Sequence, residues 1–222
     1  GEGMAPVAAY LNEQPIVIGA PTVASSYHRV LQAHLDGSAL PIERVGFADY
    51  LVPYVNTLQR GLDQDILGVY LHSQTPEFAV WHNGIEYARV YRGPHYPVAI
   101  PLDRQIAEMV LVEALVAPGS LVIRPQEAVD VLLRWRGSLA PTSGPVVVRL
   151  EGADGRSIAS VSRRLGEDGQ GGHRGGAADQ AADLHSLAVP RTAPLGPARL
   201  IATFASVDVV IEDILIQQVP GP

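Results

Sequence analysis

The sequence predicts an α/β plus all-β chain: a small α/β (βαβαββ) subdomain over residues 1–97, then an antiparallel jelly-roll-like β-sandwich over residues 98–222. Three observations predict it. Through the first ninety residues, strand-like apolar runs alternate with segments of 3.6-residue period, the pattern of an α/β layer. Asn83-Gly84 sits between two alternating runs, and a type I′ turn needs positive φ at both central positions, so this pair marks a hairpin. Beyond Pro97 helical periodicity fades into short apolar runs separated by turn residues, the texture of a sandwich.

Taken in order, Met4 to Asn12 reads as a short amphipathic helix with Val7, Ala8, Tyr10 and Leu11 on one face, stopped by Pro15. Ile16-Val17-Ile18-Gly19 reads as a buried strand. Ser25 and Ser26 are candidate N-caps for a helix through Leu35, ended by Asp36-Gly37. Ala48 to Val55 is a strand whose Pro53 implies an edge position or a bulge. Asp63 can cap a helix to Ser73 with Ile66, Leu67, Tyr70 and Leu71 facing inward. Glu77 to Trp81 and Ile85 to Tyr91 form the hairpin. Gly93-Pro94 and Pro97 to Pro101 make a punctuated joint.

In the second half the strand candidates are 107–116, 121–123, 129–135, 146–150, 157–162, 184–189, 198–204 and 211–217, with 104–115 ambiguous between helix and strand. Gly152-Ala153-Asp154-Gly155 marks a second hairpin. Alternation puts Val131, Leu133 and Trp135 on one face and Leu132, Arg134 and Arg136 on the other, which makes Trp135 core. The Gly-rich segment 166–182 is too poor in apolar area to offset its ordering entropy and is expected to be a mobile hairpin extension.

Composition removes whole classes of chemistry. All 16 basic residues are Arg, so Schiff-base and Lys-assisted phosphate chemistry are excluded; a GC-rich codon bias accounts for the missing Lys. Zero Cys excludes disulfides, thiolate metal sites and cysteine nucleophiles. The net charge is -7, and after residue 97 there are 11 Arg against 14 Asp and Glu, so neither half has the positive field that nucleic acid needs. No apolar run is long enough to cross a bilayer as a helix, which reads as a soluble chain.

Motifs are sparse. The Gly-rich segment lacks the Gly-Lys-Ser/Thr and the strand–loop–helix setting of a phosphate loop. Seven His form no His-x-His or His-x-x-x-His pair, so zinc has no local support. Glu212 and Asp213, near Asp208, would face opposite sides of an alternating strand and converge only at a bulge. No Gly-x-Ser-x-Gly elbow is present. No catalytic residue, metal ligand or cofactor is therefore assigned. The most informative stretch is 48–61, ADYLVPYVNTLQRG, a strand that leaves its sheet and offers Asn56, Thr57, Gln59 and Arg60 on the loop before a helix. Ligands collect at the carboxyl ends of strands in α/β layers, and amide plus guanidinium groups suit sugar hydroxyls or phosphate. Asn56, Gln59 and Arg60 are thus the candidate ligand-binding residues, against the alternative that they serve turn chemistry and that Arg60 pairs with Asp63 or Asp65.

GEGMAPVAAYLNEQP, ADYLVPYVNTLQRG, QTPEFAVWHNGIEYARVYRG and VDVLLRWRGSLAPTSGPVVVRLEGADGRSIAS, in this order, resemble the C-terminal extracytoplasmic region of bacterial multi-spanning membrane glycosyltransferases. These belong to the superfamily related to protein O-mannosyltransferases and lipid A aminoarabinose transferases. The Tyr-x-Asn-x-x-Gln-Arg-Gly and Gly-Ile-Glu-Tyr-Ala-Arg-Val-Tyr pieces carry most of the specificity. The resemblance implies a non-catalytic accessory domain of an enzyme that takes a sugar from a polyprenyl-phosphate carrier. Its acidic catalytic residues would lie in a loop of the N-terminal transmembrane part, absent from this chain. That missing part would be the domain's partner, with a glycan or protein acceptor, at the extracytoplasmic face of the membrane. The alternatives are a free-standing carbohydrate-binding module, using Asn56, Gln59 and Arg60 or exposed sandwich aromatics, and a hydrolase with an unrecognised carboxylate pair.

Overall fold

Helix α1, Met4–Glu13, turns Met4, Val7, Ala8 and Leu11 into the core, following the i, i+3, i+4, i+7 spacing of its apolar residues. It belongs to a computed structural model that describes residues 3–14, 20–137, 144–164 and 180–218. The chain divides into two compact units, Gly1–Tyr96 and Pro97–Pro222. Described residues are mostly β, arranged in several sheets.

After α1 the first unit runs through β1 (Thr22–Ala24), α2 (His28–Gln32), β2 (Ser38–Leu40), a 3-10 helix (Ile42–Phe47) and β3 (Tyr50–Leu51). It continues with α3 (Val55–Gln59), α4 (Gln64–Ser73), β4 (Phe78–His82) and β5 (Ile85–Arg92). The sheet order is β2-β1-β3-β5-β4, with β1 parallel to β2 and β3, and β5 antiparallel to β3 and β4. Alternation sends neighbouring residues to opposite faces. Val23, Tyr50 and Val90 join α1 and Leu31 of α2 in one cluster, while Ala24, Leu51 and Tyr91 join the 3-10 helix and α4 in another. The sheet is therefore covered on both faces.

Several boundaries differ from the sequence reading. The strand expected at 16–19 lies outside the described residues, and β1 and β2, of three residues each, are too short to show a period. The helix expected from Ser25 to Leu35 shrinks to α2, because Val23 belongs to β1. The strand expected over 48–55 pairs only at Tyr50–Leu51, with one further bridge between Tyr54 and Ala88. Pro53 does not mark an edge: β3 is interior, and Pro53 falls just past its end, where no ladder N–H is lost and its carbonyl accepts Arg89 N–H at 3.3 Å. The hairpin is as expected, with Asn83 and Gly84 at φ 50° and 78°. Gly93 closes the unit where no side chain fits, since a Cβ there would lie 2.1 Å from the Ala48 carbonyl oxygen.

The second unit contains β6 (Val98–Ile106), β7 (Met109–Ala117), β8 (Val122–Ile123), β9 (Ala128–Arg136) and β10 (Pro145–Gly152). It ends with β11 (Ser157–Arg164), β12 (Gln180–Ala188), β13 (Gly196–Phe204) and β14 (Val207–Ile216). One sheet has the order β11-β10-β13-β14-β8, the other β12-β9-β7-β6. Inward residues of both sheets, including Val146, Val148 and Leu150 with Val129, Val131 and Leu133, form one core, so the unit is sandwich-like. Trp135 is buried as expected, its ring 5.3 Å from Phe204.

Strand β6 was hidden by its prolines. Pro101 is tolerated because β6 is an edge strand bulged between Pro101 and Arg104, and the ambiguous 104–115 segment is the β6–β7 turn at Ala107-Glu108. The Gly-rich segment does not extend a hairpin: β11 and β12 lie in different sheets, and residues 180–182 already belong to β12, while 165–179 lie outside the described residues. The expectation that Glu212 and Asp213 face opposite sides is also corrected. A bulge in β14 pairs Leu200 with Glu212 but Ile201 with Val210, leaving Ile211 and Ile214 buried and both acids outside.

Candidate functional site at the carboxyl ends of the parallel strands

The chain leaves β1 toward α2 and leaves β3 toward α3, so the two loops part at the carboxyl ends of adjacent parallel strands. Such a divergence is where open α/β sheets hold ligands. Ser25 fills the gap at its base. Fully buried, it donates its hydroxyl to the Val52 carbonyl at 2.8 Å and accepts the Tyr27 N–H at 3.1 Å; its own N–H reaches Leu40 O on β2 at 3.0 Å. One side chain thus ties β1, β3 and the start of α2 together.

Around Ser25 the side chains are polar and aromatic. Ser26 donates to the Asp63 carboxylate at 2.7 Å, which holds the residue before α4 in the left-handed region instead of letting it cap that helix. Tyr27 packs on Tyr54 with centroids 4.7 Å apart, Tyr54 lies 6.3 Å from Tyr87, and Tyr87 lies 6.1 Å from His82. Because β5 runs antiparallel to β3, this row of rings leads from the β1 loop to the tip of the β4–β5 hairpin. On the opposite face of β5, Arg89 grips Glu86 with Nε and Nη2 and reaches the Tyr91 hydroxyl at 3.3 Å; the Glu86 bonds push the guanidinium pKa up, so this charge is fixed.

Asn56, Gln59 and Arg60 sit here, on α3 and its C-cap rather than on the expected loop. All three are exposed, whereas Thr57 is buried beneath them. Pro53 fixes the turn out of β3, and the helix starts at once. Among the described residues Arg60 pairs with neither Asp63 nor Asp65, so the turn-chemistry alternative loses its ion pair. The three side chains form an exposed amide and guanidinium row able to donate to hydroxyl or phosphate oxygens. What sequence reading missed is Ser25, Ser26 and the Tyr row, since their partners come from segments 27 or more residues away.

No family model matches this chain, and no curated protein does. Among solved structures it shows slight likeness to a mutant of Salmonella alpha-2-macroglobulin, at 15% identity over 45% of this chain and 6% of that one, with TM-score 0.31. The native conformation of E. coli alpha-2-macroglobulin gives 14% identity over 64% of this chain and 8% of that one, with TM-score 0.33. This chain thus spans under a tenth of either protein's length. Likeness this slight says nothing of fold or function.

Other clusters resolve differently. Asp183 and His185, two apart on β12, both point into the sandwich core with Oδ2 and Nε2 2.7 Å apart, and His185 Nδ1 has no partner among the described residues. Among the described residues no hydroxyl bonds the imidazole, so the pair is not extended to a triad there. Asp208 is bound by Arg149, with Nη2 at 2.7 Å, and by the Thr203 hydroxyl at 2.6 Å; these bonds, Arg149 first, hold its pKa down to about 2. No group of three or more metal-ligating side chains occurs among the described residues. Both aromatics after residue 96, Trp135 and Phe204, are buried against each other, which removes the expected sugar platform of exposed sandwich aromatics.

Proposed function

We propose that this chain is a non-catalytic extracytoplasmic accessory domain of a polyprenyl-phosphate-sugar-dependent membrane glycosyltransferase, presenting Asn56, Gln59 and Arg60 to acceptor or glycan. The observation that carries the reading is the meeting of the two most specific motif pieces. Tyr54 of YVNTLQRG bridges Ala88 of GIEYARVY, Arg89 N–H bonds Pro53 O, and the Tyr54 and Tyr87 rings adjoin. Two sequence signatures thirty residues apart thus frame one surface, which supports a shared purpose at that end of the sheet.

The reading includes a finer view of the folds. The first unit is taken as the small α/β subdomain. For the second, the pairing favours an immunoglobulin-like order over the expected jelly roll. Strands β7, β9 and β12 fall in one sheet and β10, β11, β13 and β14 in the other, with consecutive hairpins β10–β11 and β13–β14, as in fibronectin type III-like sandwiches.

The test pairs two measurements. Purified chain is given a polyprenyl-phosphate-linked sugar and an acceptor peptide; sugar transfer would overturn the non-catalytic assignment. Calorimetric titration with a panel of glycans and acceptor peptides is expected to show binding that Arg60→Ala and Asn56→Ala weaken. Binding that ignores both substitutions would remove the site.

A further inference from the structure

Trp81 and Ile85 flank the Asn83-Gly84 turn at the tip of the β4–β5 hairpin and are 61% and 52% exposed. His82 pairs with Ile85 and Trp81 with Glu86, so the two apolar side chains leave opposite faces of the ribbon and straddle its end. Folding does not need them there. The Asn-Gly pair specifies the turn, and Val80, Ala88 and Val90 supply the hairpin's buried contacts.

We infer that this tip docks on a lipid bilayer, with Trp81 and Ile85 entering its interfacial zone. Three observations select that occupant. The first is area: a Trp buries about 150–250 Å² and an Ile less, far short of the roughly 800 Å² per partner that a stable protein interface takes. A convex tip with two apolar side chains cannot reach that figure against a protein or a second copy, whereas a bilayer requires no complementary pocket. Charge is the second. Residues 81–85 hold no carboxylate, and the first one beyond, Glu86, is neutralised by Arg89, so an acidic chain of net charge -7 presents a neutral point suited to a zwitterionic surface. The third is residue type, because the indole with its polar N–H is enriched at membrane–water interfaces while Ile buries in the acyl boundary. The inference stands on the hairpin alone and goes beyond the accessory-domain reading.

The test uses the chain's own fluorophores. Trp135 is only 1% exposed, so a spectral response of the folded chain to vesicles comes from Trp81. Phosphatidylcholine vesicles at millimolar lipid are expected to shift emission to the blue, and lipids brominated near the interface to quench it. In vesicle flotation, Trp81→Ala is expected to abolish recovery and Ile85→Ser to weaken partitioning roughly 3- to 10-fold, in keeping with loss of one partly buried aliphatic side chain. Both positions are exposed, so an unchanged thermal midpoint accompanies these losses. Absence of shift and flotation overturns the proposal. So does a shift produced by soluble oligosaccharides, or by raising protein concentration without lipid, because the occupant is then a sugar or a second copy.

Discussion

Replacing Ser25 with Ala removes one oxygen and strands two backbone groups. The Val52 carbonyl, in a fully buried residue, loses its 2.8 Å donor, and the half-buried Tyr27 N–H loses its 3.1 Å acceptor. An unsatisfied buried polar group costs ~1–3 kcal/mol. Val52 O stands near the upper part of that range and Tyr27 N–H, within reach of water, near the lower, which gives a total of about 3–4 kcal/mol. With a urea m-value of roughly 1–2 kcal/mol/M for a unit of this size, the midpoint should fall by about 1.5–4 M. All eight Tyr lie in the first unit, so near-ultraviolet circular dichroism of tyrosine follows its unfolding, while in a Trp81→Phe background Trp135 emission follows the second unit. Ser26→Ala is the internal comparison: its bond to Asp63 is only part-buried and should be worth about 0.5–1 kcal/mol. Equal effects of the two substitutions, or a Ser25→Ala effect carried by Trp135, would refute the view that Ser25 locks the β1–β3 junction.

Further outcomes follow from the same structure. Because the folded-state pKa of Asp208 is lowered to about 2, its contribution to stability is present above the unfolded carboxylate value near ~3.9 and lost as pH falls toward 2; Asp208→Asn should therefore lower the second unit's midpoint at neutral pH and cease to matter in that acid window, and added salt should narrow the difference. At the alkaline end, burial raises the pKa of Tyr10, Tyr50 and Tyr70, so their stabilising effect holds below the unfolded value of ~10 and fades as pH rises; phenolate absorbance should show a late-titrating fraction that unfolding in denaturant abolishes. Trp135→Ala empties the sandwich centre and should cost about 3–5 kcal/mol by calorimetry of the second unit, with the first unit's transition unmoved. Gly84→Ala puts a side chain at φ 78° and should destabilise the first unit by about 1 kcal/mol, whereas Gly68→Ala inside α4 should not destabilise it.

Legibility in the sequence depended on the range over which each feature is encoded. α1 and the Asn83-Gly84 hairpin are written in local periodicity and turn chemistry, and both stand as read. The alternation that placed Trp135 inside is equally local. β6 was not legible because Pro97 and Pro101 read as a joint, and only its edge position makes Pro101 harmless. Glu212 and Asp213 were sent to opposite faces by strict period-2 counting, which one bulge defeats. At the candidate site, Asn56, Gln59 and Arg60 could be picked out as an exposed polar run, but their helical setting was set by Pro53 ending β3 against Arg89.

By itself the sequence determined composition-level exclusions that no folding can reverse: without Cys or Lys, thiolate and Schiff-base chemistry are closed to this chain, and with two aromatics after residue 96 the sandwich can offer little to a sugar face. It also determined the local elements whose hydrogen bonds close within a few residues. Tertiary structure alone decided which residues meet. Ser25 finds Val52, Ser26 finds Asp63, Tyr54 finds Tyr87, and Trp81 and Ile85 are left exposed at a hairpin tip. The physical reason is that such contacts depend on strand order and register across the sheet, whereas propensity and periodicity act only between neighbours in the chain.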